Sequence, residues 1–124
     1  MRARIGSAAL LAVLIASVAA AAPDITGKWA ASFDTQIGRQ DYTYQFQLKG
    51  STLTGKASSA NGESDIQNGK VAGDTVTFLE NFRYQGMTIS ITYTGTIVSV
   101  DEIRFIRQVG EFATEGLVAK RVRP

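Results

Sequence analysis

Carboxylates are the only side chains in this sequence suited to acid, base or nucleophilic work of the common kinds. Histidine and cysteine are both absent. That removes Ser-His-Asp triads, thiol nucleophiles and the usual zinc and copper ligands together. The candidates are Glu63, Asp65, Glu80, Glu111 and Glu115. Glycoside hydrolysis needs two carboxyl groups roughly 5 to 10 Å apart across a sugar-sized cleft. Glu80 is the candidate for one of them, and no sequence feature nominates its partner. Asn61, Glu63 and Asp65 alternate near a turn signal but lack the EF-hand spacing, so no metal site is expected. No glycine-rich phosphate loop precedes a helix, and no cofactor is expected.

Glu80 stands out because it falls in step with apolar residues. Val76, Phe78 and Phe82 occupy the same face of a strand-like run, and a carboxylate there is costly unless paired. By the same alternation Arg107 falls with Ile103, Phe105 and Val109. The two can meet inside a closed sheet. Three readings stand: a structural ion pair, a polar pair that orients a ligand, or a register that leaves Glu80 outside. Tyr42, Tyr44, Tyr84 and Tyr93, with Phe46 and Phe82, supply either core or a stacking platform for a flat ligand or a sugar face.

Those side chains must be carried on strands, since the apolar period is two almost throughout and helical signal is nearly missing. Strands are expected over 26–34, 42–49, 52–58, 63–71, 76–82, 87–94 with an extension to 98, 101–109 and 114–122. The second is the clearest, with Tyr42, Tyr44, Phe46 and Leu48 facing one way and Thr43, Gln45, Gln47 and Lys49 the other. Glycine-marked turns separate the strands at Gly38, Gly50, Gly62, Gly73, Gly86 and Gly110. Asn68-Gly69 reads as a bulge, because Ile66 and Val71 share a face only with an extra residue between them. The register of the last strand stays open, since Leu117 and Val118 point opposite ways. Eight strands with short connections make an all-β, antiparallel, up-and-down barrel.

Arg2 and Arg4, an apolar run and the small residues Ala19 to Ala22 form a secretory leader over 1–21, cut after Ala20 or Ala21. Residues 22–124 then form one domain in the periplasm or outside the cell. The leader takes two arginines with it, so the 13 basic residues fall to the number of acidic ones, 11. A near-neutral domain gives no reason to expect nucleic acid or an anionic membrane as partner. Without cysteine, stability must come from a single core, and barrel closure removes exposed sheet edges.

Gly27-Lys28-Trp29 on the first strand, eight meandering strands and a basic residue on the last one resemble the calycin arrangement of lipocalins and avidin-like proteins. That resemblance implies that Trp29 closes the barrel base and that Arg121 or Lys120 packs over it. Biotin binding is not expected, because Trp29 is the single tryptophan. The chain is also similar to short secreted bacterial domains, some of which carry glycoside-hydrolase or xylanase labels. The lumen is expected to be partly filled by Tyr42, Tyr44, Phe46, Phe78, Met87, Ile89, Ile91 and Tyr93. The expected function is binding of a small apolar or amphipathic ligand by Tyr42, Tyr44, Phe46, Glu80, Met87, Ile91, Tyr93 and Arg107, without catalysis. The alternative is a carbohydrate-active protein, a hydrolase or an accessory domain, that uses carboxylates on a saccharide.

Overall fold

Alternating inward residues become a closed surface here because every strand finds a partner on both sides. A computed structural model describes residues 23–123, and the leader expected over 1–21 lies outside them. The strands are β1 (Gly27–Thr35), β2 (Gly38–Lys49), β3 (Thr52–Ser59), β4 (Gly62–Ala72), β5 (Thr75–Tyr84), β6 (Met87–Ser99), β7 (Glu102–Val109) and β8 (Ala113–Arg121). They form a closed barrel in sequence order, all neighbours antiparallel, and β8 returns to β1 through the pairs Trp29–Arg121 and Ala30–Lys120.

The β1–β2, β3–β4, β5–β6 and β7–β8 hairpins lie at one end, here called the upper end. The other three hairpins and the start of β1 lie at the lower end. Asn68 adopts a φ of 54° and is the extra residue of β4 relative to both neighbours: the register shifts between Leu53 and Lys56 against β3, and between Gln67 and Lys70 against β5. The bulge puts Ile66 and Val71 both inside. β6 runs unbroken through Gly95 to Ser99, so the expected extension past Thr94 is part of one strand. At Gly95 the ring of Phe105 on β7 occupies the space of the missing side chain, with its Cδ1 only 2.4 Å from where a Cβ would sit. The last strand turns Glu115, Leu117 and Ala119 inward and Val118 outward.

The lower half is solid. Phe78 stacks on Tyr93 with ring centroids 4.3 Å apart, Tyr44 and Phe46 stack at 5.8 Å, and Phe105 meets Phe78 and Tyr93 edge-on. Offset and edge-to-face aromatic pairs add about 0.5–1.5 kcal/mol each beyond the area they bury. At the base the Trp29 indole is fully buried and donates to the Ile25 carbonyl at 2.9 Å. The Arg121 guanidinium lies 4.6 Å over its ring. Arg121 also donates to the carbonyls of Val100, Thr26 and Asp24, which ties the entering chain to the β6–β7 turn. Gly27 is required beside it: its φ is +135°, and a Cβ would lie 3.1 Å from Arg121 Nη1.

Candidate functional site

Above the packed half, the inward residues of β1, β2 and β5 to β8 enclose a cavity of about 230 Å³. Its walls are mainly apolar, from Phe82, Ile89, Ile91, Val109 and Ala113, and its mouth is rimmed by Ile37, Met87 and Phe112. These three are 42%, 55% and 59% exposed, so the mouth is open at the hairpin tips. The volume equals about eight waters at ~30 Å³ each. That lies just below the roughly 300 Å³ at which drug-sized sites begin.

A buried polar network separates cavity from core. Arg107 on β7 donates through Nε to the Tyr93 hydroxyl at 2.8 Å, through Nη2 to the Tyr42 hydroxyl at 2.8 Å, and through Nη1 to Glu115 Oε1 at 2.6 Å. Glu80 accepts from Tyr42 through Oε2 at 3.0 Å and from Tyr93 through Oε1 at 2.8 Å. Its Oε1 is 3.6 Å from Arg107 Nη2. Tyr93 gives its proton to Glu80, so in the 3.0 Å contact between Tyr44 and Tyr93 it is Tyr44 that donates. The guanidinium also lies 5.2 Å from the Phe33 ring centroid and 5.0 Å from that of Tyr42. Side-chain exposure is 4% for Arg107, 3% for Glu80 and 9% for Glu115.

Strand register explains these positions. Glu80 lies opposite Ile91, and Arg107 lies between Tyr93 on β6 and Glu115 on β8. Burial opposes the charge of Arg107, but Tyr93, Tyr42 and Glu80 outweigh it and hold the guanidinium more firmly protonated than usual. Burial, followed by the neighbouring Glu80 charge, pushes the Tyr42 phenol up. Burial likewise raises Tyr44 and Tyr93 well above the ordinary phenol range.

A titration prediction follows from these three phenols. Their folded values lie above the unfolded value of about 10. The stability they confer is therefore complete below that pH and declines as pH rises toward the folded values. In a Tyr84→Phe variant, which keeps only the three core tyrosines, tyrosinate absorbance at 295 nm should appear only as near-UV circular dichroism is lost. Ionisation ahead of unfolding would contradict the burial of these hydroxyls.

The sequence-predicted ligand residues separate into two groups. Tyr42, Ile91 and Arg107 line the cavity, and Met87 stands at its rim. Tyr44, Phe46 and Tyr93, expected among the ligand residues, do not line it: they fill the packed half below. Glu80 is also beneath the cavity, with both oxygens occupied by tyrosine hydroxyls. Trp29 and Arg121 lie at the opposite end. Glu63 and Asp65 are outside, both paired with Lys56, while Glu111 sits exposed in the β7–β8 turn.

Glu115 and Phe112 are cavity residues that alternation alone did not select. Counting outward from the β7–β8 turn would have found Glu115, because it pairs directly with Arg107.

Fold and site together define an eight-stranded antiparallel barrel, packed at one end and hollow at the other. No protein-family model and no curated protein matches the chain. Among solved structures it is similar to a redesigned β-barrel, at 15% identity and a TM-score of 0.61, over 81% of this chain and 92% of that one. At that identity the likeness establishes the fold alone.

Proposed function

We propose that the chain is a secreted or periplasmic binding protein of calycin type that takes one small amphipathic molecule into its upper cavity. The observation that carries this reading is the cavity itself: an open, apolar pocket of about 230 Å³ over a buried, hydrogen-bonded Arg107. Apolar walls with a few fixed polar groups are the general form of a small-molecule site. The volume suits one ring with a short substituent. The leader supports export, and the Trp29–Arg121 closure supports the calycin likeness. A glycoside-hydrolase reading draws no support from Glu80, whose oxygens are both engaged below the pocket.

The test is an NMR titration of the ¹⁵N-labelled protein with ethylbenzene. Amide shifts should concentrate on the upper ends of β5 to β8. Ala113→Phe, which places a ring in the cavity from its wall, should abolish them while the remaining spectrum persists. Shifts spread over the whole surface, or unchanged in that variant, would refute the pocket.

A further inference from the structure

We infer that the cavity's ligand is a small aromatic or aliphatic monocation, a primary amine of about phenethylamine size, with its ammonium on Glu115 and its apolar body among Phe82, Ile89 and Val109. This rests on the ligand-binding reading above and adds the charge of the ligand. Two independent features of the site point the same way.

The first is the charge count. Two carboxylates, Glu80 and Glu115, share one guanidinium, Arg107, and all three side chains are at least nine-tenths buried. Among the described residues, Arg107 and Glu115 are the charged side chains that line the cavity; Thr35, Gln36 and Gln40 near the mouth are neutral. Counted by formal charge, the floor therefore carries one negative charge in excess. A buried charge favours a counter-ion over none.

The second is hydrogen-bond capacity. Arg107 donates through three of its five N–H bonds, one from each nitrogen, and each oxygen of Glu80 accepts from a tyrosine. The Tyr93 hydroxyl donates once and accepts twice, which exhausts it. Glu115 is different. Its Oε1 accepts from Arg107, but its Oε2 has no hydrogen-bond partner among the described residues.

A primary ammonium brings the missing positive charge and three N–H donors to that oxygen. Tyr84 also lines the cavity and offers an aromatic ring beside it, while the Tyr42 and Phe82 rings already lie against Arg107. An anion would instead add a second negative charge to the floor.

The experiment compares three probes of similar shape by the same NMR titration at neutral pH: ethylbenzene, phenethylamine and phenylacetate. Phenethylamine should bind at least about tenfold more tightly than either other probe, the worth of one charge-assisted hydrogen bond. Glu115→Gln should remove that margin and leave ethylbenzene binding in place, whereas Glu115→Asp should keep part of it. Phenylacetate binding as tightly as the amine, or a preference for the amine that survives Glu115→Gln, would overturn the inference. Ethylbenzene binding without any preference for charge would defeat the cation while the pocket stands. Failure of all three probes to shift any cavity amide would defeat both.

Discussion

Arg107→Leu should lower the unfolding free energy by about 3–5 kcal/mol, the usual cost of removing one partner from a buried ion pair. Leucine fills much of the space but leaves Glu80 at 3% side-chain exposure facing two tyrosine hydroxyls with no cation. It also strips the Tyr93, Tyr42 and Glu115 oxygens of their donor. Against a typical total of about 5–15 kcal/mol, that is enough to make the barrel marginal. The informative comparison is the double variant Arg107→Leu/Glu80→Leu. Removing the stranded carboxylate should restore part of the loss, so the double should be more stable than the sum of the singles implies. Urea unfolding of the wild type, both singles and the double measures this directly. Additive losses would mean that the two charges are not coupled.

The network owes its strength to the same barrier that makes it legible or illegible in the sequence. Period-two alternation on β5 and β7 turns Glu80 and Arg107 inward, and their types alone make them conspicuous among Val76, Phe78, Ile103 and Phe105. The bulge at Asn68 was legible for the same reason, since Ile66 and Val71 demand a common face. What alternation does not carry is height within the barrel. Tyr42, Tyr44 and Phe46 share a face and read alike, yet Tyr42 borders the cavity while the other two are packed below it. That difference depends on which facing side chains are large. At the lower level Tyr44 meets Phe78, Tyr93 and Phe105, whereas at the upper level Ile89, Val109 and Ala113 face one another and leave space. Glu115 was hidden by another cause: two adjacent apolar residues, Leu117 and Val118, made the direction of β8 ambiguous until its pairing with β7 settled it.

Gly55→Ala should be the most damaging single methyl in the barrel. Gly55 lies opposite Phe46 on β2, with φ at +149°, where side-chain-bearing residues rarely go. A Cβ there would sit 1.8 Å from the Gln45 carbonyl oxygen and 3.2 Å from the Phe46 Cα. Those are main-chain atoms held in the β2–β3 ladder, so relief requires parting two strands rather than turning a side chain. Glycines inside strands often mark such close approaches of one backbone to another. The expected loss exceeds about 4 kcal/mol, in the range reserved for exceptional substitutions. Gly116→Ala supplies the control: Gly116 is also in a strand, its added Cβ meets nothing within 4 Å, and its change should stay within about 0.5 kcal/mol. Soluble yield and urea midpoints for the pair decide the matter. If Gly55→Ala folds with the midpoint of Gly116→Ala, the strands have room that the close approach denies, and the solid lower half must owe its packing to its aromatic rings alone.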